Sequence, residues 1–248
     1  MAYPPHSESS SFLVIGHRGL PKLAPENSGS GFKLAVDLGI PMVELDVRLT
    51  RDRELVVIHD NDIRKLSDGK GKVNKKDFQY LRQFDYGSSF NWRFKGEKLL
   101  RLDEVLSILL PKVQVMIELK EDKKRRREMA EELIKVLLKR NVMLSRIFVC
   151  SFSDKLLLEI KKINPYIWLG LIFRTKPKKA FHKAFDYGFN SVHPYHRIAK
   201  KSLITWAIAQ GLYVYIWTVN SFKAIKKWKA RGVHGVITDI PERVYQLL

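Results

Sequence analysis

The sequence predicts an α/β fold, a TIM (β/α)8 barrel with a small insertion after the hairpin that follows the second strand. Three observations carry that prediction. Eight short apolar runs alternate with amphipathic helical stretches. Most of these runs are apolar on both faces, as strands of a parallel sheet covered on both sides are. The length, 248 residues, is what such a barrel needs as one domain. With 45% hydrophobic and 11% aromatic residues the chain can bury a real core, which excludes a disordered chain or a disulfide-stapled miniprotein. One domain is expected over residues 12–248, preceded by a flexible tail over 1–11.

The elements follow in order. The first strand is Phe12–Gly16 and the second Met42–Leu49. The next apolar run, Glu54–His59, comes after only the polar residues Thr50 to Arg53. A parallel crossover needs a dozen or more residues, so this run must return as an antiparallel hairpin. Residues 61–99 then break the rhythm, with Gly69, Gly71, Gly87 and Gly96 among polar residues and the aromatics Phe84, Tyr86, Phe90 and Trp92. This stretch reads as a lid-like insertion rather than a linker. Val113–Leu119 is the third barrel strand, followed by a helix striped with Met129, Leu133, Val136 and Leu137. Ile147–Ser151 is the fourth. Ser153 suits the N-cap of a helix carrying Leu156, Leu157, Ile160 and Ile163 on one face and stopping near Pro165. Trp168–Phe173, Asn190–His193 and Tyr213–Thr218 are the fifth to seventh strands. Ser221 is expected to cap the next helix, with Phe222 and Ile225 inward and Gly232 closing it. Gly235–Thr238 is the eighth strand, and Pro241 suits the first turn of the last helix.

Charge and cysteine content narrow the function. Against 26 Asp and Glu stand 45 Lys and Arg, a net charge of +19. That excess fits an anionic small substrate, an anionic membrane surface or nucleic acid. No RNP-like motif, zinc spacing or recognition-helix pattern is visible, so nucleic acid is the weakest of the three. The single cysteine, Cys150, permits no intramolecular disulfide and reads as a small core residue. No run of about 20 apolar residues is present, and Met1 to Ser11 lacks the features of a secretory signal. A cytoplasmic protein is expected, with peripheral contact to an anionic membrane.

In a barrel of this kind chemistry sits at the carboxyl ends of the strands. Strand one ends in His17-Arg18-Gly19, strand two carries Glu44 and Asp46, and the hairpin run ends in His59-Asp60. Strand three ends with Glu118 and Lys120, strand four with Ser151-Phe152, strand six with His193, strand seven with Trp217 and strand eight with Asp239. Residues two apart on a strand share a face, so Glu44 and Asp46 point together, as do Glu118 and Lys120. Two converging carboxylates alone could be rim salt bridges with Lys120 and Arg18. A third carboxylate makes a hard oxygen ligand set suited to Mg²⁺ or Ca²⁺. His17 and His59 are candidates for an acid–base pair, because imidazole titrates nearest neutrality. Arg18 and Lys120 supply fixed positive charge for an anion. The set suits attack on a phosphodiester.

The run His17-Arg18-Gly19, Pro25-Glu26-Asn27, Glu44-Leu45-Asp46-Val47 and His59-Asp60 resembles the glycerophosphodiester phosphodiesterases. Ile117-Glu118-Leu119-Lys120, Trp217-Thr218-Val219-Asn220 and Thr238-Asp239-Ile240-Pro241 extend the resemblance from about residue 12 to the C-terminus. It implies a TIM barrel with an insertion after the strand-two hairpin and the cleavage of glycerophosphodiesters to glycerol phosphate and an alcohol. It further implies Glu44, Asp46 and Glu118 as metal ligands, His17 and His59 as the acid–base pair, and Arg18 and Lys120 on the phosphate. In that scheme His17 is the base toward a glycerol hydroxyl or water, and His59 protonates the departing alkoxide. Trp217 and Phe152 would then wall the pocket, and Asn27 would either contact substrate or, with Glu26, cap the first helix.

The sequence departs from the family pattern in three places. Ser28 stands where Thr is usual, Asp52-Arg53 where an Asp-Gly turn is usual, and Leu100-Arg101 where Pro-Thr is usual. None touches the chemistry; they bear on the entrance and so on substrate choice. A lysophospholipase D working at a membrane surface and a non-enzymatic anion-binding barrel are the competing readings. His193 and His196 are read as rim residues or pocket wall. The basic runs Lys120 to Arg127 and Arg174 to Lys183 are read as mostly solvated helix surface, Lys120 excepted.

Overall fold

The computed structural model describes residues 12–245. The expected tail over 1–11 lies outside the described residues. The strands, in chain order, are β1 (Leu13–Gly16), β2 (Met42–Leu49), β3 (Leu55–Val57), β4 (Gln114–Leu119), β5 (Ile147–Ser151), β6 (Trp168–Phe173), β7 (Ser191–Pro194), β8 (Tyr213–Ile216) and β9 (Gly235–Thr238). The helices are α1 (Gly29–Asp37), α2 (Phe78–Arg82), α3 (Leu102–Leu109), α4 (Arg126–Lys139), α5 (Asp154–Ile163), α6 (Pro177–Asp186), α7 (Lys201–Ala209), α8 (Phe222–Ala230) and α9 (Pro241–Tyr245). β1 pairs in parallel with β9 on one side and β2 on the other, and this second pairing closes the barrel. β3 alone runs antiparallel, hung on β2 as Val47↔Val57 and Leu49↔Leu55.

Two apolar layers explain why the strands are hydrophobic on both faces. Leu13, Ile15, Met42, Met116, Phe148, Cys150, Trp168, Tyr215 and Ile237 fill the barrel itself. Phe148 meets both Trp168 and Tyr215 edge to face. The alternate residues, such as Val14, Val43, Leu45, Val115 and Ile117, pack outward against the helices. The barrel core thus forms a floor, and the side chains one step further along each strand emerge above it.

β3 and the residues between it and α3 form a small unit with its own core: Val56, Ile58, Ile63, Val73, Phe78, Leu81, Tyr86 and Leu99. Its aromatics divide. Tyr86 is buried, whereas Trp92 is 75% exposed. The unusual hairpin turn has a clear solution. Arg53 takes a left-handed conformation, φ +67°, where glycine would be easiest. Thr50 holds the turn by accepting from the Glu54 amide, and the Arg53 guanidinium reaches Glu132 at 2.8 Å.

The helix caps are partly as read. Ser153 accepts from the Leu156 amide and caps α5. Ser221 occupies the N-cap of α8 but makes no side-chain cap bond. Residue type alone does not set the rotamer that a cap needs. The first helix is capped by Ser28, which accepts from Gly31, and not by Glu26 or Asn27.

Candidate active site

The first site residues follow a tight turn at the end of β1. A Cβ on Gly16 would stand 2.6 Å from the Gly19 carbonyl oxygen, so the turn needs glycine there. Arg18 and Asn27 both have left-handed φ, +54° and +56°. Such a conformation at two non-glycine residues persists where surroundings enforce it. Here the enforcement is visible: the Asn27 amide nitrogen donates to the Arg18 carbonyl at 3.0 Å.

Glu44, Asp46 and Glu118 converge above the barrel floor, each under 10% exposed. β2 and β4 are in register with Asp46 opposite Glu118. One carboxylate oxygen from each residue lies within 4.8 Å of the others. Glu44 Oε2 accepts from the Arg18 amide at 3.0 Å, while Oε1 is buried with no hydrogen-bond partner. Asp46 is held by Arg18 Nε at 3.2 Å and Lys120 Nζ at 2.8 Å. Lys120 Nζ also bonds Glu118. Burial and the nearby Asp46 charge push the Glu44 carboxyl up to about 8. Burial also pushes Asp46 up, but Lys120, Arg18 and His59 outweigh it and hold that group down at about 2. Burial raises Glu118 as well, against the pull of Lys120. Three buried acids with one unpartnered oxygen and a carboxyl that resists ionising form an incompletely neutralised cluster. A divalent cation with oxygen preference fits it.

The two histidines share one design. His17 Nδ1 lies 2.6 Å from Asp239 Oδ1, and His59 Nδ1 lies 2.8 Å from Asp60 Oδ1. Asn220 fixes Asp239 in turn, donating to Oδ2 at 2.6 Å and accepting from the Asp239 amide at 2.8 Å. Lys65 stands 3.1 Å from Asp60. A carboxylate on Nδ1 orients the ring and favours the tautomer that leaves Nε2 for exchange. Burial lowers both imidazoles, yet the results differ. In His17 the bond from Asp239 and the Glu44 charge overcome burial and raise it. In His59 burial prevails, with Lys120 and Arg18 adding to it, and the group is lowered.

The remaining expected residues fall into two groups. Trp217 lines a small pocket beside His17, Glu44, Glu118 and His193, and its Nε1 donates to the His193 carbonyl at 2.7 Å. Phe152 is 47% exposed and meets Trp217 edge to face at 5.6 Å, outside that pocket. Asn27 departs from the expected substrate contact: its amide is spent on Asp46, donating at 2.9 Å and accepting the Asp46 N–H at 3.1 Å. It is a clamp on a carboxylate. Arg18 grips Glu26 through both carboxylate oxygens, at 2.9 and 3.0 Å, besides reaching Asp46. The basic runs are mostly solvated, as expected, with Lys123, Lys124, Arg127, Arg174, Lys176, Lys178 and Lys179 exposed. Within them Arg125 and Arg126 pair with Glu128 and Glu121, and Arg174 stacks over Tyr195 and Trp217.

Sequence reasoning gave no role to Asp239, Asp60 and Asn220, although each sits inside one of the matched motifs. Asp239 and Asn220 act through contacts between segments distant in sequence, which spacing does not reveal, and the Asp60 contact with its neighbour His59 depends on a rotamer. His193 is buried, pushed down to about 3 by burial, with Nε2 bonded to Ser191 Oγ at 2.9 Å.

The model of the glycerophosphoryl diester phosphodiesterase family matches residues 17–243. The chain belongs to this family. A glycerophosphodiester phosphodiesterase of Caldanaerobacter subterraneus subsp. tengcongensis is 33% identical over 237 residues, covering 95% of this chain and 97% of that one. The Oleispira antarctica phosphodiesterase solved with its product sn-glycerol-3-phosphate superposes with a TM-score of 0.90 at 25% identity, covering 94% and 95% of the two chains. The Thermotoga maritima glycerophosphodiester phosphodiesterase gives 0.78 at 25% identity, over 97% and 100%. As a glycerophosphoryl diester phosphodiesterase family member, the protein is an enzyme, a phosphoric diester hydrolase.

Proposed function

We propose that the protein hydrolyses glycerophosphodiesters to glycerol phosphate and an alcohol, using His17 and His59 as its acid–base pair and a divalent cation held by Glu44, Asp46 and Glu118. The observation that carries this reading is the pairing of two carboxylate-fixed histidines with a buried three-carboxylate cluster. Bound there, Mg²⁺ or Ca²⁺ would supply Lewis-acid stabilisation of charge on the phosphate oxygens.

The chain's own groups do the rest. His17 holds a proton more tightly than an ordinary imidazole and His59 less tightly. The Glu44 charge is part of what raises His17. With that charge offset by a cation held at Glu44, the His17 ring would be free to accept the proton from the attacking hydroxyl or water. As the attacking oxygen bonds to phosphorus, the bond to the alcohol breaks and His59 delivers a proton to the departing alkoxide. Asp239 and Asp60 keep the two rings oriented. Arg18 and Lys120 stand at the edge of the cluster, where their charge would face the phosphate oxygens of a bound diester. Asn27 fixes Asp46.

The test is a panel of glycerophosphodiesters and lysophospholipids assayed with Mg²⁺, with Ca²⁺ and with EDTA. Hydrolysis of a glycerophosphodiester that stops with EDTA and returns with either cation is expected. No hydrolysis of any diester with either metal overturns the reading. His17→Ala and His59→Ala should each lower turnover at least about a hundredfold while circular dichroism stays unchanged. A substrate with a nitrophenolate leaving group needs no proton on departure, so His59→Ala should recover much of its rate there and His17→Ala should not. Near-normal rates in either variant on ordinary diesters defeat the pair assignment.

A further inference from the structure

A second cavity adjoins the small pocket that Trp217 lines. It has a volume of about 280 Å³ at the ends of β5 and β6, lined by Phe152, Leu171, Ile172 and Phe173 below and by Lys176, Lys179 and Lys183 above. Ile172 lines both cavities, so they share a wall. Phe152 and Trp217, in edge-to-face contact, form the corner between them. The charge around this cavity is one-sided. Its single acid, Asp154, is taken by Lys183 at 2.6 Å. Lys176 and Lys179 are exposed and have no acidic partner among the described residues. On the other side of the active site, the cavity of about 200 Å³ under the insertion is balanced, with Glu26 and Glu97 against Lys65 and Lys98.

Arg174 completes the pattern. Its guanidinium lies 5.0 Å from the ring centre of Tyr195 and 5.6 Å from that of Trp217. Open faces of Trp and Tyr at a site mouth are where a quaternary ammonium would be held. Here an arginine covers them, and a cationic group arriving there meets a like charge. Both observations exclude one kind of substrate arm and favour the opposite kind.

Resting on the diesterase reading above, we propose that this cavity receives the alcohol arm of the substrate and selects glycerophosphodiesters whose alcohol carries a further phosphate. The extra phosphate is held by Lys176 and Lys179, with Arg174 closing the aromatic faces against choline-like arms. Charge-assisted contacts to a phosphate strengthen binding of that arm without touching the reacting bond.

The experiment compares glycerophosphoinositol 4-phosphate, glycerophosphoinositol and glycerophosphocholine at one ionic strength. The expected order of kcat/KM follows that sequence, with the phosphorylated substrate favoured over its parent by about tenfold. In the double variant Lys176→Gln/Lys179→Gln that ratio should collapse toward one, mainly through KM. Arg174→Ala should raise glycerophosphocholine relative to the other two. A control pair, Lys139→Gln/Lys227→Gln, removes two charges from the last turns of α4 and α8, at the opposite end of the barrel. Equal loss of the ratio in that control would assign the preference to the overall field of the protein and overturn the subsite. Hydrolysis of all three substrates at similar rates also overturns it while leaving the diesterase reading intact. Hydrolysis of none defeats the diesterase reading itself.

Discussion

At the residue scale, the site is a set of charges that would not remain together without specific partners. His17 illustrates this. Buried beside Arg18, it should lose its proton easily, yet Asp239 and Glu44 raise its affinity for one. Asp239→Asn keeps a hydrogen-bond acceptor for Nδ1 and removes the charge. The His17 imidazole should then titrate lower, so the alkaline limb of the kcat/KM profile moves to lower pH. Turnover should fall about tenfold or more as the ring loses its orienting carboxylate. The wild-type profile is bell-shaped by the same logic. Below the lowered His59 value both rings carry protons, and above the raised His17 value neither does. An alkaline limb that stays in place in Asp239→Asn would mean that some other group sets it. The convergence of Glu44, Asp46 and Glu118 was legible because strand parity turns all three to one face, and His17 and His59 because each follows the end of a strand in a matched motif. The role of Asn27 was not. Whether an asparagine side chain meets substrate or a neighbouring carboxylate depends on the left-handed turn at Asn27, and no residue pattern announces that turn.

At the element scale, strand parity did most of the predictive work. The period of two put Glu44 with Asp46 and Glu118 with Lys120, and the observed register places Asp46 beside Glu118. Strand limits shifted by a residue or two, since the ends depend on hydrogen bonds between strands rather than on hydrophobicity. The short hairpin after β2 was legible from loop length alone. Its turn was not, because Arg53 in a left-handed conformation is held by Thr50 and Glu132, one near in sequence and one distant. β6 also hides a packing requirement. A Cβ at Gly170 would lie 2.4 Å from His193 Nε2 and 2.5 Å from Ser191 Oγ on the adjacent strand. His193 and Ser191 are both fully buried and cannot swing into solvent. Gly170→Ala should therefore destabilise the protein by about 1–3 kcal/mol, measured by denaturant unfolding. It should also disturb Trp217, whose indole is tied to the His193 carbonyl, and so raise KM. An unchanged stability would show that β6 and β7 can part there without loss.

At the scale of the whole molecule, the +19 charge and the acidic centre belong to one arrangement. Most of the basic residues are spread over the outside, and three acids are concentrated in the middle with Arg18 and Lys120. That centre makes stability depend on pH and on cations together. In the folded protein Glu44 binds its proton up to about pH 8, whereas in the unfolded chain it releases it near 4.5. Between those values the native state carries more protons than the unfolded state, so stability falls as pH rises across that window. Asp46, held at about 2, acts in the opposite sense, but its contribution is already complete above its unfolded value of 3.8. A cation bound by the ionised carboxylates relieves the Glu44 penalty and adds its own binding energy. The Tm gained on adding Mg²⁺ or Ca²⁺ to EDTA-treated protein should therefore be larger at pH 8 than at pH 6. At a cation concentration a hundredfold above its Kd the gain should reach roughly 5 to 10 °C. Glu44→Gln removes the penalty and one ligand, so that variant should be more stable than the wild type in EDTA at pH 8 and gain less from either cation. A gain of equal size at both pH values, retained in Glu44→Gln, would place the cation elsewhere on the molecule. Because the measurement reads unfolding rather than turnover, it tests the carboxylate cluster separately from the histidines.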